Sequence, residues 1–154
     1  MSTRVARLRE SDWRVFAQVR LRALTESLGQ DDPHYREEAA FTAAQWRHRL
    51  REHAQFAALV ADRPVGLIAA QQQNAETVYL YSLWLHPSVR GHGLARRLVA
   101  ASLDWARACG VRTVRLRVAA DNAAARGVYE SLGFEVAHND ANGPGELAMT
   151  LSVS

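Results

Sequence analysis

The chain has 154 residues, of which 48% are hydrophobic, and this size suits one domain, residues 1–154, around one hydrophobic core. The single cysteine, Cys109, excludes an internal disulfide, and no apolar run approaches the ~20 residues of a membrane-spanning helix. The net charge of +3 comes from arginines scattered along the chain without a dense basic stripe, which argues against nucleic-acid binding.

The N-terminal third predicts a short strand and two helical regions. Alternation over residues 5–8 indicates a weak first strand. The helix that follows should end near Gly29, and Ser11 or Asp12 is the expected N-cap because either side chain can accept a backbone N–H. A second helical region covers residues 35–53, with Thr42 as a further cap.

The middle of the chain predicts three strands in succession. Residues 56–61 and 65–72 form a hairpin around the turn at 62–64. Residues 78–85 are rich in β-branched and aromatic side chains, which favours a fourth strand. Pro87 ends that strand because proline has no N–H to donate to a sheet.

A glycine-rich turn, Arg90-Gly91-His92-Gly93, follows the fourth strand. Apolar residues then recur at helical spacing and predict a helix over residues 94–109. Strand, glycine loop and helix in this order direct free backbone N–H groups and a positive helix end at one point. Such a junction suits a phosphate or pyrophosphate group.

The C-terminal part predicts a fifth strand at 113–118, a helix at 122–132 and two last strands at 134–137 and 146–151, joined by a polar loop at 139–145. The fourth strand, its helix and the fifth strand form a βαβ unit, which makes those two strands parallel. The neighbouring hairpins are antiparallel. We therefore predict an α/β (α+β) fold with a mixed sheet and helices on its faces.

Two motifs narrow the class of anion-binding loop. No G-K-[ST] follows the glycines and no third glycine completes G-x-G-x-x-G; the loop from Arg90 to Ala95 instead has the pattern R-x-x-G-x-A. A second stretch has the pattern N-x-x-A-x-x-x-Y from Asn122 to Tyr129, with Gly133-Phe134 after it. Together, in this order, the two motifs resemble those of the GNAT superfamily of N-acetyltransferases, which use acetyl-CoA.

The resemblance implies a mostly antiparallel sheet with a central parallel pair, and a role for each motif residue. Backbone N–H groups of the loop would hold the pyrophosphate of acetyl-CoA, and the backbone at the end of the fourth strand would pair with pantetheine and polarise the acetyl carbonyl. The cofactor-binding residues carried over are Leu83, Trp84, Leu85, Arg90, Gly91, His92, Gly93, Leu94, Ala95 and Asn122.

Tyr129 is the catalytic residue that the resemblance implies, as the acid that protonates the thiolate. Each assignment has a structural alternative. Tyr129 is otherwise a core aromatic residue, Asn122 a helix cap, and the loop a left-handed turn with solvated arginines. His92 is interpreted as a solvent-facing loop residue, while Arg90, Arg96 or Arg97 could add charge at the rim of the site.

The expected reaction is direct transfer of an acetyl group to a primary amine of a small molecule, peptide or protein. No Ser-His-Asp or Cys-His pattern indicates an acyl-enzyme, and His48 and His53 are spaced for no metal site. The general base stays open among Glu37, Glu38, Tyr79, Tyr81, Ser82 and a chain of water molecules.

The sequence leaves several functional alternatives. They are a non-catalytic CoA-binding regulatory module, and a transferase for another acyl group or a hydroxyl acceptor. The N-terminus shows no secretory signal, so we predict a cytoplasmic protein without a membrane partner, and we leave open a homodimer.

Overall fold

The computed structural model describes residues 2–137 and 145–154. The polar loop predicted over residues 139–145 lies outside the described residues, apart from Gly145. Within the described chain, a seven-stranded sheet carries helices on both faces. No helix in these two ranges is both long and apolar enough to cross a bilayer.

The elements follow the predicted order. The strands are β1 (Thr3–Arg7), β2 (Ala54–Val60), β3 (Arg63–Gln72), β4 (Thr77–Leu85), β5 (Thr113–Ala119), β6 (Glu135–Val136) and β7 (Glu146–Ser152). The helices are α1 (Trp13–Ser27), α2 (Pro33–Ala39), α3 (Ala43–Glu52), α4 (Leu94–Ala108) and α5 (Ala123–Ser131). Short 3₁₀ turns precede α1 and α4.

The sheet has the order β1-β2-β3-β4-β5-β7-β6. Its neighbouring strands are antiparallel except for β4 and β5, which are parallel and joined through α4. This arrangement confirms the predicted mixed, mostly antiparallel sheet with one central parallel pair. It also confirms the βαβ unit on which the site prediction depends.

Strand β2 shows how the two faces of the sheet are covered. Phe56 and Ala58 pack into the core beneath α4, whereas Ala57 and Leu59 pack against α1 and α3 on the opposite face. Successive side chains of a strand point to opposite faces, so a strand covered on both sides is apolar throughout. This is why β2 is a nearly continuous buried run.

Helix caps confirm one local prediction and correct another. Thr42 Oγ1 accepts the backbone N–H of Gln45 at 3.2 Å, and Gln45 Oε1 accepts that of Thr42 at 2.8 Å, which is a capping box. Neither Ser11 nor Asp12 caps α1: the Asp12 carboxylate instead accepts the N–H of Arg9 at 2.8 Å. The prediction is wrong because a 3₁₀ turn already leads into α1.

Candidate active site

The site begins where β4 and β5 stop pairing. Their parallel ladder covers only residues 77–79 of β4 and 113–115 of β5. Strand β4 continues to Leu85 and β5 to Ala119, so the two strands lie apart over their second halves. This separation opens the middle of the sheet on the side where the glycine loop follows β4.

A β-bulge interrupts β4 at the same point. Leu67 of β3 pairs with Trp84 and Ala69 pairs with Tyr81, so β4 has one more residue than β3 between these pairs. Ser82 lies in the bulge with a φ of +61°, a left-handed conformation that is uncommon for a residue other than glycine. A strained backbone of this kind is often found at functional sites.

The bulge reverses which face the later side chains of β4 occupy. Val78 and Leu80 pack into the core beneath α4, and Leu85 packs there too, although it is an odd number of residues further along. Trp84 packs on the opposite face with Leu67. A shift of one residue exchanges the two faces of a strand, and here the bulge supplies that shift.

The glycine loop leaves a row of backbone donors free. Gly91 and Gly93 have φ values of +84° and +82°, which glycine adopts without the steric cost of a Cβ. Gly93 is the N-cap of α4, and no side chain caps this helix. Across the described chain, none of the backbone N–H groups from Gly91 to Arg96 donates to a protein acceptor. They are available to an anion.

A groove of about 590 Å³ joins the two motif segments. It brings together most of the predicted cofactor-binding residues, namely Leu83, Trp84, Leu85, Arg90, Gly91, Gly93, Ala95 and Asn122. Two others do not line it: His92 is exposed, and the Leu94 side chain is buried beneath α4. Both residues contribute backbone N–H groups to the loop.

Arg90 is held on the α1 side of the loop. Its Nε donates to the Leu85 carbonyl at 3.0 Å and its Nη2 to the Glu26 carboxylate at 3.0 Å. Trp84 Nε1 also donates to Glu26, at 3.0 Å. The hydrogen bonds from Trp84 and then Arg90 lower the pKa of Glu26 below its ordinary value. Glu26 therefore links α1, the end of β4 and the glycine loop.

The other two rim arginines differ in position. Arg96 Nε donates to Ser131 Oγ at 3.3 Å, and both residues line the groove between α4 and α5. Arg97 instead reaches the Thr3 carbonyl of β1, at 3.5 Å. The expectation that Arg97 lies at the rim is wrong, because its position on α4 faces away from α5.

Asn122 caps helix α5, which is the structural alternative that the sequence left open, and it also lines the groove. Its Oδ1 accepts the backbone N–H of Ala125 at 3.1 Å and so caps α5. Its side-chain nitrogen donates to no acceptor within residues 2–137 and 145–154. That nitrogen is free to bond a ligand in the groove.

Tyr129 is buried at the edge of the core, with 6% of its surface exposed, and its ring lies edge-on to Phe134 at 5.8 Å. It does not line the groove, although Val128 does. Its hydroxyl group forms no hydrogen bond with any of the described residues. Burial, with a smaller effect of nearby Tyr79, raises the pKa of Tyr129 to about 12. The phenol is therefore protonated at neutral pH.

A second cavity, of about 350 Å³, adjoins the first along β4, and we name it the helix-side cavity. It lies between α1, α3 and the β4 bulge. Its lining residues are Phe16, Arg20, Arg49, Glu52, His53, Gln55, Leu67, Tyr81 and Ser82. Consecutive residues of β4 thus line the two spaces: Tyr81 and Ser82 line this cavity, and Leu83 lines the groove.

Some of the candidates for the general base line the helix-side cavity and others do not. Tyr81 and Ser82 line it. Glu38 is buried, and its carboxylate forms ion pairs with the guanidinium groups of Arg20 and Arg49. Glu37 lies at a separate surface depression on α2 and α3, and Tyr79 lines neither space.

The structure adds polar residues that the motifs do not include. His53 Nδ1 and the Tyr81 hydroxyl form a hydrogen bond across this cavity. No sequence spacing links these two residues, because one ends α3 and the other lies in β4. Arg20 had a visible signal, since it is a charged residue on the otherwise apolar face of α1.

Comparisons with known proteins agree with the two motifs. The model of the acetyltransferase (GNAT) family matches residues 20–134. Mycothiol acetyltransferase from Corynebacterium glutamicum (strain R) is 41% identical over 75 residues, which are 49% of this chain and 26% of that protein. The chain thus spans about a quarter of the length of this relative.

Solved structures share the fold at low sequence identity. An N-acetyltransferase, PaiA, from Thermoplasma acidophilum in complex with coenzyme A has a TM-score of 0.75 and 16% identity, covering 99% of each chain. A GNAT-family acetyltransferase from Streptococcus pneumoniae has a TM-score of 0.78 and 17% identity, covering 99% of this chain and 100% of that one.

The raised pKa of Tyr129 predicts a pH effect on stability. Between its ordinary value near 10 and about 12, the folded protein keeps a proton that the unfolded chain has lost. The free energy of unfolding should therefore fall as pH rises through this window. Between pH 9 and pH 11.5, the free energy of unfolding of Tyr129→Phe should fall by roughly 2 kcal/mol less than that of the parent.

Urea unfolding followed by circular dichroism at each pH measures this difference. Below about pH 9 the phenol is protonated in both states, so parent and variant should change in parallel. Parallel curves up to pH 11.5 would contradict a buried, proton-retaining phenol at this position.

Proposed function

The chain belongs to the GNAT acetyltransferase family, and from this we propose that it transfers an acetyl group from acetyl-CoA to a primary amine of a small molecule, peptide or protein. The observation that supports this most is the groove beside the end of β4, because both motif segments line it. The proposal covers residues 1–154 as one domain in the cytoplasm.

The groove fits the parts of coenzyme A. A pyrophosphate is an anion, and the loop offers free N–H groups from Gly91 to Arg96 at the N-terminus of the long helix α4, with Arg96 beside them. A pantetheine arm needs an apolar channel with backbone partners. The separated edge of β4 supplies the backbone, and Leu83 and Val128 supply apolar walls.

Acetyl-CoA supplies a thioester whose carbonyl carbon is the electrophile. We assign the stabilisation of its oxygen to a backbone N–H near Leu83, where β4 has left β5. Loop residues 90–95 and Asn122 hold the rest of the molecule in place. The amine attacks directly, so that a C–N bond forms as the C–S bond breaks, and no acyl-enzyme is required.

Tyr129 is the residue we assign to the leaving thiolate. A phenol with a pKa of about 12 is protonated at neutral pH and can donate a hydrogen bond to the departing sulfur. Complete proton transfer to a thiolate of pKa about 8.5 is unfavourable by roughly 3.5 pH units. Its main contribution is therefore hydrogen-bond donation as negative charge develops on sulfur.

Gly93→Ala should weaken acetyl-CoA binding about tenfold or more, because a methyl group would occupy the open space before the N–H row. Within the described chain, no atom lies within 4 Å of that Cβ position, so no internal clash explains the loss. Isothermal titration calorimetry with acetyl-CoA measures the affinity.

Gly110→Ala is the matched control for this variant. Gly110 has a φ of +77° and equal open space, but it lies at the other end of α4. Both variants carry the same left-handed strain of about 1–2 kcal/mol. Gly110→Ala should lower the melting temperature and keep full affinity; equal affinity losses in both would remove the loop from the site.

Tyr129→Phe should lower kcat at least tenfold and leave acetyl-CoA affinity near that of the parent, because only the hydroxyl is lost. Release of the CoA thiol over a panel of amines measures turnover. Tyr35→Phe, on α2 and not among the residues that line the groove, is the control and should keep full activity.

Two results would contradict parts of this proposal. A Tyr129→Phe variant as active as the parent would exclude the phenol from the reaction. Tight acetyl-CoA binding by the parent without thiol release for any amine would instead indicate a non-catalytic CoA-binding module.

A further inference from the structure

A buried ion cluster stands behind the helix-side cavity. The Glu38 carboxylate, with 5% of its side chain exposed, accepts Arg20 Nε at 3.0 Å and Nη2 at 3.2 Å. It also accepts Arg49 Nη1 at 2.7 Å. One carboxylate thus serves two guanidinium groups from two other helices. The three residues carry one excess positive charge.

The excess charge faces the cavity. Arg20 and Arg49 both line this space, whereas Glu38 lies behind them and does not. Arg49 has five N–H donors and uses one of them for Glu38. The rest of its guanidinium has no other hydrogen-bond acceptor in the described chain, while its flat face covers the Phe41 ring at 4.8 Å. These free donors suit an anion with two oxygens.

The same cavity also contains groups that suit an amine. Glu52 contributes a carboxylate to its lining, one oxygen of which already pairs with His48 Nε2, and the hydroxyl of Tyr81 lies there in a hydrogen bond with His53. Tyr81 precedes the bulge residue Ser82, after which β4 enters the coenzyme groove at Leu83. An amino group near Tyr81 would therefore lie at the end of the cavity nearest the proposed thioester.

We propose that the helix-side cavity binds the acceptor, and that the acceptor is a small amine that also carries a carboxylate, such as a free α-amino acid. This inference rests on the proposed acetyl transfer. Arg49, with Arg20 beside it, binds the carboxylate, while Tyr81 and Glu52 receive the amino group. A volume of about 350 Å³ is near the lower end for small-molecule pockets, which favours a single amino acid over a polypeptide.

Matched acceptors test the carboxylate directly. CoA thiol release is measured with free amino acids, with their amides, and with the amines that remain when the carboxylate is removed. L-leucine, L-leucinamide and 3-methylbutylamine form one such set. At least one amino acid should show a kcat/KM tenfold or more above both of its counterparts that lack the carboxylate.

Variants on α3 test which arginine is responsible. Arg49→Gln should lower kcat/KM for the preferred amino acid at least tenfold and leave its amide unchanged. Arg51→Gln is the matched control, because Arg51 pairs with Glu10 at 2.7 Å on another surface, and it should change neither rate. Arg49→Gln leaves Arg20 and Glu38 as a balanced ion pair. Arg49→Lys keeps the positive charge on α3 without the bidentate fork, and it should show a selective but smaller loss if Arg49→Gln folds poorly.

The outcomes separate this inference from the proposed function. Amides or simple amines acetylated as well as amino acids would overturn the carboxylate assignment and leave the transferase intact. Acetylation of peptide N-termini but of no free amino acid would also overturn it. If no acceptor releases CoA, calorimetry with L-amino acids and their amides on the CoA-saturated protein decides: selective amino-acid binding supports the inference without turnover, and equal or absent binding overturns it.

Discussion

An interior strand that loses its neighbour leaves backbone N–H and C=O groups that must bond to something else. Here β4 leaves β5 after residue 79, in the middle of a sheet whose other strands stay paired. The glycine loop, the groove and the proposed pantetheine channel all depend on that separation. Had the parallel ladder continued to Leu85, the space that joins the loop to α5 would be closed by the sheet itself.

Much of the fold could be predicted, because its signals are local. Thr42 caps α3 as its residue type indicates, and the strand–glycine–helix junction at Gly91 and Gly93 follows from residue types alone. The bulge could not be predicted, because Ser82 is neither glycine nor asparagine and its left-handed backbone is imposed by the pairing of β3 with β4. Local patterns contain no information on such a register.

The same difference between local and long-range signals applies to the site. The coenzyme groove comes from two short motifs and was largely visible in the sequence, whereas the helix-side cavity comes from side chains far apart in the chain. Glu38 illustrates the difference. Its residue type made it a candidate base, but contacts with Arg20 and Arg49 occupy its oxygens and make it part of a charged wall. His53 had no signal, since its partner Tyr81 lies two strands away.

The bulge in β4 makes the pairing register of this strand with β3 a functional property. Its first half presents one set of alternate positions to α1, and its second half presents the other set. Regular pairing of these same residues with β3, without the bulge, would turn Trp84 from α1 toward α4 and exchange the walls of the two cavities. Side chains before the bulge shape the acceptor space and those after it shape the coenzyme space, provided that the bulge at Ser82 is kept.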